Sequence, residues 1–348
     1  MAHANALYRP ILKQAWQTTL KYKHLWFFGL FAALVSSGGE YEIILHAVNA
    51  PTNEGILGAI MSGLATGWSE GAKVGGVNLL VGFWQTLTQD PVSLIIILLV
   101  LALTISLTLF LIWLSTVSQI GLIRNAYLLV GKAKILKKPT LNEGIDFGMK
   151  YFWPVLGINV VLRVILSALF AVLSGVYFWI YKFDVLAGLF YVLVFIIFIL
   201  LTLIVSFLLK YQILFLLIKK QKFLEALASA WKLFLDNWLI SLEMAVLMLL
   251  AFLIAALITA TVAVFLWAIP MVVLPLSFSF FPAALKFLLA LVAVTLIIII
   301  SVLITAMIAT FQWTGWTILF TKISEGEALA KLERLAQGLQ FLPKNLGK

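Results

Sequence analysis

Residues 92–114 read VSLIIILLVLALTISLTLFLIWL, without a single charge. At about 1.5 Å per residue a helix of this length covers roughly 34 Å, enough to cross a hydrocarbon core of about 30 Å. Its apolar residues are consecutive and do not alternate with period two, so the stretch reads as a helix and not as a barrel strand. Lipid offers backbone N–H and C=O groups no partner, and a helix satisfies them internally.

Outward from this stretch, residues 154–180, 185–209, 238–268 and 284–308 pass the same test, the last continuing toward residue 320. A sixth segment, 25–37, is short by itself. It becomes adequate if Leu20 and Tyr22 are included and Lys21 and Lys23 snorkel toward the headgroups. Composition agrees, with 64% hydrophobic and 11% charged residues and a mean hydropathy of +1.12, whereas soluble domains are about half apolar and a quarter charged. The expected fold class is all-α, a polytopic membrane protein of about six transmembrane helices. A single transmembrane domain is expected over 1–320, followed by a cytoplasmic amphipathic helix over 321–348.

The basic residues orient the chain. Segments 1–24, 118–153, 210–237 and 321–348 hold 20 of the 24 Lys and Arg residues. The other side keeps Lys73, Lys182 and Lys286 with the acids Glu40, Glu42, Glu54, Glu70, Asp90 and Asp184. By the positive-inside rule the first set is cytoplasmic, as are both termini, and the expected location is the cell membrane. A cleaved signal peptide over 1–37 competes for the first segment, given Ser36-Ser37-Gly38. The long, amphipathic basic leader argues against it. The net charge of +10 therefore follows from topology. Clusters such as Lys132, Lys134, Lys137 and Lys138, or Lys219, Lys220 and Lys222, point to anionic lipid headgroups as partners. Nucleic acid is not expected, because no stacking aromatics alternate with them.

Short amphipathic stretches precede three of the spans. Leu141, Ile145, Met149 and Phe152 share a helical spacing with Phe223, Leu227, Trp231 and Phe234, and more faintly with Tyr8, Leu12 and Trp16. Each stretch leads into a span, at Leu25-Trp26, Trp153-Pro154 and Trp238-Leu239. The chain reads as three repeats of one interfacial helix plus a transmembrane hairpin, over about 5–117, 139–217 and 222–320. Thr140-x-x-Glu143 and Ser324-x-x-Glu327 have the form of capping boxes, the second ahead of Leu329, Leu332, Leu335 and Leu339. The outer segment 36–91, with short helices expected at 56–64 and 74–86, reads as a lid or spacer on the helix ends. Pro270, Pro275 and Pro282 are expected in the outer loop between the last two spans.

Chemistry-bearing residues are few. The chain has no cysteine, and His3, His24 and His46 have no ligand spacing, so neither a metal centre nor a cofactor is expected. No HExxH, Walker loop or GxSxG occurs, and no span holds two carboxylates to divide acid and base roles, so no catalytic residue is assigned and an enzyme is not expected. The polar residues inside spans are Arg163, Glu243, Asn159 and Gln312. Arg163 lies ten residues past Trp153 and Glu243 five past Trp238, a depth difference of roughly 7 Å that an arginine side chain can cover. A structural ion pair is the expectation, and single amides suit interhelical hydrogen bonds.

KQAWQTTLKYKHLWFFGL at 13–30 and ALASAWKLFLDNWLISL at 226–242 resemble bacterial multi-pass families related to the membrane domain attached to some glycerophosphodiester phosphodiesterases. The resemblance covers mainly 139–320. It implies a six-helix membrane domain with interfacial helices and supplies no catalytic residues. Together these readings point to a non-enzymatic membrane scaffold or lipid-interacting protein, with a permease or channel for a small or lipid-like solute as the alternative. Single cysteines at positions 3, 136, 221 and 345 are expected to be shielded from a membrane-impermeant thiol reagent in intact cells, and those at 70 and 184 to label. Labelling at both 3 and 70 would show that the first segment does not cross.

Overall fold

The computed structural model describes residues 8–35, 91–130, 140–180, 185–276 and 283–325. The helices expected at 56–64 and 74–86, the lysines at 132–138 and the leucines of the C-terminal stretch lie outside the described residues. Among those described, all regular structure is helical: α1 (Tyr8–Lys21), α2 (His24–Val35), α3 (Pro91–Val130), α4 (Leu141–Lys150), α5 (Phe152–Ile180), α6 (Val185–Ile218), α7 (Phe223–Asp236), α8 (Trp238–Leu276) and α9 (Ala283–Ser324). Five of them are long and apolar enough to span a membrane, over Leu98–Val130, Phe152–Leu173, Leu189–Ile218, Trp238–Ala268 and Ala290–Ser324. The protein is a polytopic all-α membrane protein.

Two boundaries differ from the sequence reading. α2 has 12 residues, about 18 Å at the helical rise, and it cannot borrow Leu20 to lengthen. Trp26 Nε1 donates to the Thr19 carbonyl at 2.8 Å, which a continuous helix would give to the Lys23 amide, so α1 stops at Lys21 and the chain turns. α8 runs through Pro270 and Pro275 to Leu276 and does not end before them. Each ring removes one backbone donor, a loss that membrane helices tolerate. Ser324 is the last residue of α9, its hydroxyl on the Thr321 carbonyl at 3.1 Å, and Glu327 of the second expected capping box lies outside the described residues. Thr140 does cap α4, accepting from the Glu143 amide at 3.3 Å.

The chain divides into two compact units. One comprises Met1–Ser36, Ser115–Val155 and Tyr211–Lys348, the other Ser37–Leu114 and Leu156–Lys210. In the first, the C-terminal ends of α3, α6 and α9 are buried, with Val117, Ile120, Ile123, Tyr211, Leu214, Trp316 and Phe320 in the core. α1, α2 and α8 pack along α9. α4 runs antiparallel to the end of α3, because Gly148 meets Val117, Gly144 lies against Gly121, and Asn125 Nδ2 donates to the Thr140 carbonyl at 3.4 Å. α7 is tied to the end of α6, where Gln212 Nε2 donates to the Phe223 carbonyl at 3.1 Å.

In the second unit α5 and α6 pack through Leu173, Tyr191 and Phe198, with the Phe170 and Phe198 rings edge to face at 4.9 Å. The outer part of α3 is different. Each residue from Leu98 to Ile112 is exposed, so every face of about four helical turns is open to the solvent, which here is lipid.

The glycines of α4 set its approach to α3. A Cβ on Gly148 would come 2.7 Å from the Val117 carbonyl oxygen, and one on Gly144 would come 2.6 Å from Phe28. Gly148→Leu is therefore expected to lower stability by about 1–3 kcal/mol. Gly175, with nothing within 4 Å of such a Cβ, is the control. Gly175→Ala should be neutral or stabilising by up to about 1 kcal/mol. Thermal unfolding of both variants in detergent measures the contrast.

Candidate functional site

The polar side chains of the first unit gather on the ends of the long helices. Ser115, Thr116, Ser118, Gln119 and Asn125 on α3, and Thr310, Thr314 and Thr317 on α9, are all buried. An apolar helix accepts hydroxyls cheaply when they bond back to its own carbonyls. Thr310 and Thr317 do so at 2.8 and 2.7 Å, to Ala306 and Trp313. Thr310 also reaches the Leu25 carbonyl at 3.2 Å, joining α9 to α2. The Tyr211 hydroxyl lies 2.7 Å from Ser241 Oγ, linking α6 to α8 at a fully buried position.

Among the described residues Glu243 is the one acid within a span, and it is half-buried on α8. Its carboxylate accepts a hydrogen bond from the Tyr8 hydroxyl at the start of α1. The carboxylate is thereby given a donor inside the apolar region, where an unsatisfied one is costly. The contact also ties α1 to α8. Farther along α1, Trp16 meets Phe311 of α9 edge to face at 5.9 Å. At the other end of α4, Arg124 donates from a guanidinium nitrogen to the Glu143 carbonyl at 2.6 Å and sits 5.0 Å from the centre of the Phe147 ring.

The four intramembrane candidates fall two to each unit. Glu243 and Gln312 belong to the first, where Gln312 is half-buried between buried Phe311 and Trp313. Asn159 and Arg163 belong to the second, Asn159 buried and Arg163 on an exposed side of α5 with Val160 and Val164. Pairing of Arg163 with Glu243 stands as a proposal. Sequence reasoning missed Tyr8, Gln119, Asn125 and Ser241. For Gln119 and Asn125 the signal was polar residues at helical spacing beyond the apolar run 92–114, whereas Tyr8 was placed only on an apolar stripe and Ser241 is a single hydroxyl within a span. Among the described residues no group of three His, Asp or Glu side chains could hold a metal ion.

These features define an integral membrane protein of the polytopic helical class. No family model, characterised protein or solved structure matches the chain.

Two double-mutant cycles in detergent probe Glu243. Tyr8→Phe and Glu243→Gln should couple by about 0.5–3 kcal/mol. Arg163→Leu and Glu243→Leu should couple by a similar amount if the two charges pair, with the double variant milder than the sum. Simple additivity in the second cycle would reject the ion pair and make Arg163 a ligand-binding or gating charge.

Proposed function

We propose that this protein is a non-enzymatic, lipid-interacting scaffold of the cell membrane, with its termini and basic loops in the cytoplasm and anionic headgroups as its partners. The observation that carries the reading is the outer face of α7. Leu224, Ala228, Trp231, Leu235 and Trp238 recur along one side of the chain and are all exposed, Leu224 to 73%. Lys219, Lys220, Lys222 and Lys232 are exposed around them. In water each large side chain of such a stripe would forfeit about 1.5–3 kcal/mol of burial. At a membrane surface the apolar side enters the lipid, and the lysines meet phosphate at about 1 kcal/mol each.

The position of α7 supports this use. One residue, Asn237, separates it from α8, which is long enough to span, so α7 starts or ends near the bilayer surface. α1 and α4 repeat the pattern, with Trp16 and Met149 exposed, and Trp153 is exposed at the start of α5. The three short helices are read as the interfacial members of a threefold repeat, in keeping with the resemblance to membrane domains of glycerophosphodiester phosphodiesterase type. That resemblance associates the protein with lipid headgroups and assigns it no reaction.

Reconstitution into nanodiscs of phosphatidylcholine alone, or with phosphatidylglycerol, tests the reading. The anionic lipid should raise the melting temperature. Replacing Lys219, Lys220 and Lys222 together by Gln should remove roughly 3 kcal/mol of that stabilisation. An equal melting temperature in both lipids would reject it.

A further inference from the structure

Arg163 stands at the middle of the span Phe152–Leu173. At about 1.5 Å per residue its backbone lies roughly 15 Å from either end, half of a hydrocarbon core of about 30 Å. The other basic residues of the five spans are placed differently. Arg124, Lys210 and Lys322 fall near the C-terminal ends of α3, α6 and α9, and all three are half-buried. Arg163 is exposed, among the exposed Val160, Val161 and Val164.

An exposed cation at the middle of a bilayer is costly in hydrocarbon alone. The cost falls when the side chain snorkels and the bilayer thins locally, bringing water and headgroups down to the charge. Helical side chains lean toward the N-terminus of their helix, which for Arg163 is the end marked by the exposed Trp153. Asn159 and Val160 occupy the turn on that side, Asn159 buried and Val160 open to lipid. The guanidinium presents five donors in a planar fork that fits a phosphate bidentately. A carboxylate of the same chain would take two of them, so an ion pair with Glu243 and a bound phosphate are compatible.

We propose that Arg163 holds the phosphate of a phospholipid drawn below the membrane surface beside α5, in the leaflet at the Trp153 end. The lysines around α7 meet headgroups at the surface and favour anionic lipid. Arg163 takes the phosphate itself, so a zwitterionic phospholipid serves as well, and the bilayer is thinned where α5 crosses it. The site rests on the depth and exposure of one residue and not on α7, so an equal melting temperature in the two nanodisc lipids leaves it standing.

The absence of native cysteines allows a single spin label to test it. Full-length Val164→Cys, labelled with a nitroxide and reconstituted into phosphatidylcholine vesicles, is read by phosphorus electron–nuclear double resonance, which detects lipid phosphorus close to the label. Leu250→Cys is the control at matched depth, since Val164 lies eleven residues past Trp153 and Leu250 twelve past Trp238, and Leu250 is exposed on α8. A phosphorus coupling is expected at 164 and not at 250. It should be lost in Arg163→Gln and kept in Arg163→Lys, whose ammonium still binds phosphate as a point charge. In vesicles of a phosphorus-free galactolipid, added inorganic phosphate should give no coupling at 164. Absence of coupling at 164 in phosphatidylcholine overturns the proposal without any change at Arg163, so it can fail even if Arg163→Gln does not fold. Equal coupling at 250, coupling that survives Arg163→Gln, or coupling from inorganic phosphate alone overturns it too.

Discussion

A helix in lipid gains little from hiding apolar surface, because the lipid is as apolar as its neighbour, so association depends on how closely two backbones can approach. Here that approach is set by small residues on the short helices. Gly148 leaves no room for a side chain between α4 and the Val117 backbone, and Gly144 and Gly121 leave only the space that Phe28 fills. On α4 and α7 the small face turns inward, and Met149, Leu224, Trp231 and Leu235 turn outward. The exposed tryptophans and the tight seating on the long helices are thus two sides of one geometric choice.

The same choice explains what could and could not be read from the residues. Long apolar runs mark spans because nothing else of that length survives in a soluble fold, and all five are helices here. The helix ends were less legible. Residues 115–126, STVSQIGLIRNA, are small and polar enough to pass for a loop, yet they continue α3 and supply much of one core. Periodicity found the short helices from their large residues, of which the structure exposes Trp16, Met149 and Trp231 and buries Tyr8 and Phe234, together with small residues beside them. Glu243 stood out as a charge in an apolar run. Its partner Tyr8 could not, being 235 residues away in sequence.

The polar groups of the first unit are handled within that packing. Threonines on α9 bond back to the turn before them, and those that reach farther, such as Thr310 on Leu25 or Tyr211 with Ser241, join helices that already touch. Such bonds contribute modestly one by one. Their larger effect is on register, since each is satisfied at only one sliding position of one helix along the next.

α3 puts this rigid region in contact with the physical state of the bilayer. It is 40 residues long, roughly 60 Å, firmly packed over its last turns and bare from Leu98 to Ile112. A bare apolar rod can meet a change in bilayer thickness only by tilting, or by making the lipid adjust, at fractions of a kcal/mol for each ångström of mismatch.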